Sequence, residues 1–146
     1  MSSEEMKAKA TLFVEEVINA GNLDRFTEFF TADYVDHVPP PTPDFPKGAE
    51  GFKAFFSGLR AAFPDFHYTI DDTIVEGDKV VQRVTGHGTM NGPFLGLRPT
   101  GKYAMWTEIH ISRVGANGKF VEHWALVDQM GMMQQLGVIP APGQGG

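Results

Sequence analysis

The sequence predicts an α+β domain in which helices pack against one face of a β-sheet. The chain has 146 residues, a length typical of one domain. Apolar residues recur at the 3.6-residue spacing of helices up to residue 63, and beyond it they alternate at the two-residue spacing of strands. Helices followed by antiparallel strands are typical of α+β folds. We predict one domain over residues 1–138 and a flexible tail over residues 139–146.

The helical part is predicted to begin at the N-terminus. Ser2 and Glu5 have the spacing of a capping box, which marks the start of a helix. Apolar residues then recur at helical spacing up to Gly21, which is a natural end for the helix. A second, shorter helix is predicted over about residues 23–30, where three phenylalanines share one side.

A proline-rich segment separates these helices from a third. Residues 38–47 contain five prolines, which exclude both a helix and a central strand and predict a stiff loop. The third helix is predicted from Gly48 to Phe63, and Pro64 follows it directly. Its apolar residues form a stripe that is typical of a helix packed against a core.

The rest of the chain is predicted to form two hairpins and a closing helix. Residues 67–76 and 79–89 alternate around Gly-Asp and predict the first hairpin. Residues 102–114 and 119–128 predict a second hairpin around a turn with two glycines. A short helix over Gln129–Leu136 completes the domain.

Alternation along the strands predicts a polar wall inside the sheet. Because side chains on a strand point to alternate faces, Arg83 and His87 share one face, and so do Glu108 and His110. His123 shares a face of the last strand with small and apolar residues. If these faces converge, five ionisable side chains line one wall, and such groups are costly to bury unless they are paired or used. Periodicity does not show which face points inward, so the alternative that these side chains are exposed to solvent stays open.

Known catalytic motifs are absent from the sequence. It has no nucleophile elbow, no dinucleotide fingerprint and no phosphate-binding loop. Glu108, His110 and His123 have the residue types of a two-histidine, one-carboxylate metal site, but the sequence does not fix the distances between them. We therefore predict no metal and no cofactor. What remains is acid–base chemistry by side chains, or binding alone.

Several segments of the chain together resemble one family. They occur in one order across roughly residues 5–138: YVDH (34–37), LRAAFPD (59–65), EGDKV (76–80), FLGLRPTGK (94–102), VEHW (121–124) and VDQMG (127–131). The chain as a whole is similar to the SnoaL-like polyketide cyclases, also called ester cyclases, of the NTF2-like superfamily. The resemblance implies an NTF2-like cone, in which a curved antiparallel sheet wraps around three N-terminal helices and encloses a deep apolar cavity. It also implies a homodimer and chemistry without a cofactor.

The resemblance also implies roles for individual residues. His110 matches a histidine of the cavity, Trp106 matches the cavity wall, and Tyr34 and His37 match groups at the cavity mouth. The catalytic aspartate of the cyclases falls at Ala125. Limonene-epoxide-hydrolase-like proteins would need acids at positions 85 and 125, where this chain has Thr85 and Ala125, so the resemblance speaks against epoxide hydrolysis.

Three functions are compatible with these residues. The first is cyclisation or isomerisation of a small apolar carbonyl compound, with His110 or His123 as the base and Arg83 or Tyr34 as the oxyanion donor. The second is a non-catalytic protein that binds a small apolar molecule, because Ala125 replaces the expected aspartate. The third is a dimerisation or scaffold role with a filled, vestigial cavity. The predicted substrate-binding residues are Tyr34, His37, Thr85, His87, Trp106, Glu108 and Ala125.

Overall fold

The computed structural model describes residues 1–140 and residue 143. Helix α1 covers Ser3–Leu12 and continues as a π-helical segment over Phe13–Asn19. The predicted capping box is present, because Ser2 Oγ accepts from the Glu5 amide at 3.1 Å and Glu5 Oε1 accepts from the Ser2 amide at 3.0 Å. Gly21 has a φ of +80°, a left-handed conformation that glycine adopts without strain and that ends the helix.

The predicted second helix is shorter than expected, and a strand follows it at once. A 3₁₀ turn over Leu23–Arg25 leads into helix α2, Phe26–Phe29. Strand β1, Phe30–Asp36, then runs parallel to the last strand of the sheet. The prediction of an all-antiparallel sheet is therefore wrong at this edge. A parallel partner 90 residues away in sequence leaves no local hairpin signal by which it could be predicted.

The remaining elements match their predicted positions closely. Helix α3 covers Gly48–Ala62. The four antiparallel strands and the closing helix are β2 His67–Glu76, β3 Lys79–Thr89, β4 Tyr103–Val114, β5 Phe120–Val127 and α4 Gln129–Leu136. The predicted tail lies largely outside the described residues.

The five strands form one curved, unclosed mixed sheet in the order β1-β5-β4-β3-β2. The helices cover one face of it, the inner face. Two apolar clusters fill this side: one surrounds Phe63 and Trp106, and the other surrounds Phe30 and Phe120. Within the described part of the chain, no helix is long and apolar enough to cross a membrane.

Registers between the strands fix which side chains share the inner face. Gln82 of β3 pairs with His110 of β4, and His110 pairs with Ala125 of β5. Directly paired residues point to the same face of a sheet, so all three lie on the inner side. Val80 and Val84, which flank Gln82 on this face, are almost fully buried.

Candidate active site

A small void lies between the inner face and the N-terminal helix. Its volume is about 40 Å³, which is room for a few water molecules. Phe13, Val14 and Ile18 of the π-helical segment form its apolar side. The sheet contributes the polar side chains of Tyr68, Gln82, His110, Ser112 and His123. π-Helical segments are rare and often occur at functional sites.

Four ionisable side chains form one chain of hydrogen bonds beside this void. Asp36 Oδ1 lies 3.1 Å from His123 Nδ1, and His123 Nε2 lies 2.9 Å from His110 Nδ1. His110 Nε2 then lies 2.8 Å from Glu108 Oε1. We call this chain of Asp36, His123, His110 and Glu108 the histidine relay.

Glu108 closes the buried end of the histidine relay. Its side chain is 6% exposed, and it also accepts hydrogen bonds from Tyr68 Oη and Trp106 Nε1, both at 2.7 Å. Burial acts to raise the pKa of Glu108, but the charge and hydrogen bond of His110 and the two other donors outweigh it and lower that pKa below its usual range. Glu108 is therefore an ionised acceptor.

The position of Trp106 depends on a glycine of the neighbouring strand. Gly86 pairs with Trp106, and a Cβ atom at Gly86 would lie 2.8 Å from the indole Nε1. That distance is too short for a real contact, so only glycine leaves room for the ring in this position. Gly86 therefore allows the indole N–H to point at Glu108.

Asp36 is the more exposed end of the histidine relay. It accepts from the Val38 amide at 3.0 Å and from Tyr34 Oη at 3.3 Å. Burial acts to raise the pKa of Asp36, but the hydrogen bond and charge of His123 and the other donors lower it overall. The pKa of Tyr34 is raised, first by burial and then by the charge of Asp36, so this phenol stays protonated and donates.

These contacts determine where protons sit in the histidine relay. Because both carboxylates act as acceptors, His110 carries a hydrogen on Nε2 and His123 carries one on Nδ1. The other two ring nitrogens face each other at 2.9 Å. A hydrogen bond at that distance needs one nitrogen to donate and the other to accept, so the geometry leaves room for one further proton between the rings.

The structure brings together six of the predicted site residues. His110 and His123 are joined directly, with Glu108 and Trp106 next to His110. Ala125 pairs with His110 across the sheet. Tyr34 reaches the relay through Asp36.

The other predicted residues lie elsewhere. Arg83, Thr85 and His87 lie on the outer face of β3, where Arg83 and Thr85 both contact Asp71. Register and burial place Val80, Gln82 and Val84 inward, so the expected wall is corrected on this strand. His37 stacks on Trp124 and bonds Glu122 on the outer side of β5.

Sequence reasoning missed three polar residues at the site. Asp36 lies in the quoted YVDH segment, for which no strand was predicted, and the structure places it at the end of β1. Tyr68 and Gln82 follow from alternation once the inner face is known, because Val80 and Val84 flank Gln82. The two valines were a signal that this face of β3 is the apolar one.

The described residues offer no other comparable cluster. Among them, no group of three or more His, Cys, Asp or Glu side chains is arranged to hold a metal ion. A second void of about 170 Å³ lies between the proline-rich loop, α3 and the loop before β4. It is larger, but its lining residues, which include Phe45, Phe55 and Phe94, carry no titratable group. Of these two voids, only the smaller one is lined by titratable side chains, which are those of Tyr68, His110 and His123.

Comparison with known proteins identifies the family. The sequence model of SnoaL-like polyketide cyclases matches residues 8–136. The chain belongs to the SnoaL-like polyketide cyclase family. The predicted NTF2-like α+β fold is confirmed by the solved structures that resemble it. No protein among the curated sequences matches this SnoaL-like chain.

Three solved structures illustrate the similarity. TsrD from Streptomyces laurentii is 28% identical and has a TM-score of 0.83, with 95% of this chain and 99% of that chain covered. IdmH from Streptomyces antibioticus, whose proposed activity is polyketide cyclisation, is 32% identical at a TM-score of 0.77, with 90% and 98% covered. AclR from Streptomyces galilaeus, whose proposed activity is hydroxylation, is 27% identical at 0.80, with 96% and 85% covered. Related folds thus carry different proposed activities.

Proposed function

We propose that this protein catalyses cofactor-free proton transfer on a small apolar carbonyl compound, as an aldol cyclisation or an isomerisation requires. The observation that carries the proposal is the 2.9 Å contact between His110 Nδ1 and His123 Nε2, which one shared proton would bridge, beside an otherwise largely apolar void. General acid–base catalysis needs a donor and an acceptor within reach of one ligand. A single shared proton supplies both.

The chemistry follows from opening the contact between the two rings. When a ligand separates them, one ring presents an N–H and the other presents a lone pair. The lone pair takes a proton from the carbon next to the carbonyl, while the N–H gives its proton to the carbonyl oxygen. One C–H and one N–H bond break, one N–H and one O–H bond form, and the pair keeps its total charge.

The enol formed in this way can react further in two directions. A proton returned to a different carbon gives an isomer. If the enol carbon instead attacks a second carbonyl of the same molecule, a new C–C bond closes a ring. Both outcomes use only the protons that the pair already holds.

The carboxylates at the two ends support this proposal by fixing the rings. Glu108 and Asp36 each hold one ring N–H, so the nitrogens that share the proton are the ones turned toward each other. Ala125 stands directly opposite His110, where the resemblance implies an aspartate. The histidine pair takes the acid–base role in that place. Arg83, Thr85, His87 and His37 lie on the outer side and lend no support, so their predicted roles stay predictions.

The proposal is tested by deuterium incorporation into a small ketone. Cyclopentanone in D₂O exchanges its α-protons when it is enolised, and proton NMR reports the rate. We expect His110→Ala and His123→Ala each to lower the enzyme-dependent rate by about 10²–10⁴-fold. His67→Ala is the matched control, since His67 is exposed on the outer face, and it should keep the wild-type rate. Equal rates in all four proteins would show the proposal to be wrong.

A second candidate function is non-catalytic binding of a small apolar molecule. It is favoured by Ala125, which leaves the position of the expected catalytic aspartate without a carboxylate. Native mass spectrometry of the purified protein would then detect a bound molecule that is released chemically unchanged. Conversion of that molecule during incubation would exclude this function.

We also propose that the protein acts as a homodimer through the outer face of its sheet. Met105, Ile109 and Leu126 lie on this face, and Leu126 is 81% exposed. An exposed apolar patch on a sheet is typical of a protein interface. Sedimentation should show a dimer in the wild type and a monomer in Leu126→Lys. We further propose that it is a cytoplasmic protein.

A further inference from the structure

One buried polar group at the void has no partner. Gln82 is 8% exposed, and its Nε2 finds no hydrogen-bond acceptor among the described residues. Its side chain lines the void with His110 and His123. Thr31 Oγ1 is the other such atom in the described part of the chain, and Thr31 does not line the void.

The surroundings of Gln82 make its amide unusual. Val80 and Val84, its neighbours on the same face, are 2% and 1% exposed, so an apolar side chain would suit the position. An amide N–H that is buried without an acceptor costs free energy. The amide donor of Gln82 is explained if a bound molecule supplies the missing hydrogen-bond acceptor.

The charges around the void indicate what that acceptor is. None of the described residues that line it is a lysine or an arginine, and the histidine relay ends in two carboxylates. With one shared proton, the four relay groups carry a net charge of about −1, which disfavours an anionic ligand. A neutral carbonyl oxygen is the acceptor that fits an uncharged amide donor.

We propose that Gln82 Nε2 binds the carbonyl oxygen of the ligand, next to the carbon whose proton the histidine pair moves. The pairing of Gln82 with His110 across β3 and β4 carries this assignment. It rests on the proposed function and names the group that orients the ligand. A carbonyl oxygen has two lone pairs, so it accepts from Gln82 and from the imidazolium at the same time.

Gln82 also has a role during enolisation. As the α-proton leaves, the C–H electrons form a C=C bond and the carbonyl π electrons move onto oxygen. The amide N–H then faces greater negative charge, and its hydrogen bond strengthens. The amide transfers no proton in this step.

The test compares a ketone with a hydrocarbon of the same size. We measure the affinity of the wild type and of Gln82→Leu for two molecules, cyclopentanone labelled with ¹³C at the carbonyl and cyclopentane. The substitution replaces the amide with an apolar side chain of similar size, which suits a position between two valines. We expect ketone affinity to fall about tenfold in Gln82→Leu while cyclopentane affinity is kept or improved. Thermal unfolding of both proteins checks that the variant is folded.

Infrared spectroscopy gives a readout that packing alone does not move. A hydrogen bond lowers the stretching frequency of the labelled carbonyl, so that lowered band should be present in the wild type and lost in Gln82→Leu. Gln82→Met, which keeps the unbranched shape and has no hydrogen-bond donor, should lose it as well.

The outcomes separate this proposal from the proposed function. If the histidine variants abolish exchange but Gln82→Leu keeps both the band and the affinity, the donor assignment is wrong and the proposed function stands. If the wild type catalyses no exchange but Gln82→Leu loses the band, the donor assignment stands alone. Ketone and hydrocarbon responding equally to Gln82→Leu would mean that the amide serves only a water molecule, which overturns the assignment.

Discussion

The sheet carries two pairs of neighbouring histidines, one on each face. The ring centres of His110 and His123 lie 5.2 Å apart on the inner face, and those of His67 and His87 lie 5.4 Å apart on the outer face. The inner rings share a hydrogen bond and have a carboxylate at each end. Within the described residues, the outer rings bond neither each other nor a carboxylate.

The difference shows that spacing alone does not make a site. On the outer face, His67 is exposed and His87 is half-buried, so water can hydrogen-bond ring nitrogens that have no protein partner. On the inner face, apolar neighbours remove most of that water, and the ring nitrogens must find protein partners. Glu108 and Asp36 supply them, and the two remaining ring nitrogens then face each other at hydrogen-bond distance.

The largest expected effect in this comparison comes from removing the buried carboxylate. Glu108→Ala leaves Tyr68 Oη, Trp106 Nε1 and the His110 N–H without their acceptor. We expect a loss of about 3–5 kcal/mol in the free energy of unfolding, the usual result of breaking a buried charged network. Urea denaturation measures it.

A carboxylate on the outer side of β5 is the control for that variant. Glu122 accepts from His37 and Arg113, so Glu122→Ala removes the same chemical group. Water replaces the lost partner there, and the loss should be much smaller. Similar losses in the two variants would contradict the distinction between the faces.

Most of the fold could be predicted from the sequence because its signals are local. The two hairpins depend on alternation and on turn residues within about 25 positions, and their strands begin and end within one residue of the prediction. The capping box at Ser2 is equally local. Strand β1 could not be predicted, because its partner β5 lies far along the chain and a proline-rich segment follows it.

The site could be predicted only in part for the same reason. Glu108 and His110 share a face by their spacing, and that face is inward. On β3, Arg83 and Gln82 lie on opposite faces, and the two valines beside Gln82 favour its face as the inner one only weakly, because Val81 lies on the other face. Register against β4 decides between them, and register is a property of the folded sheet.

A smaller effect is expected in the dependence of stability on pH. The pKa of Glu108 is lower in the folded protein than in the unfolded chain, where it is about 4.3. The carboxylate therefore stabilises the fold fully above that pH, and this contribution is lost as the pH falls through the folded pKa.

Glu108→Gln removes the titrating group and should reduce the loss of unfolding free energy at low pH. Urea denaturation at about pH 5 and about pH 3 should show a smaller drop in unfolding free energy for Glu108→Gln than for the wild type. His67→Ala removes a histidine that bonds no carboxylate among the described residues, and it should keep the wild-type drop. A steeper drop in Glu108→Gln would mean that the pKa of Glu108 is raised on folding.

The smallest effect should come from the outer histidine pair. His67 is exposed and has no hydrogen bond from its ring among the described residues, so His67→Ala should change the unfolding free energy by less than about 0.5 kcal/mol. His123→Ala removes a ring held at both ends, and hydrogen bonds of charged groups are worth about 1.5–3 kcal/mol. Urea denaturation of both variants near neutral pH measures the two losses in unfolding free energy, and we expect the loss in His123→Ala to be the larger. Equal losses would show that the inner pair is no better anchored than the outer one, and that the shared proton adds nothing to the fold.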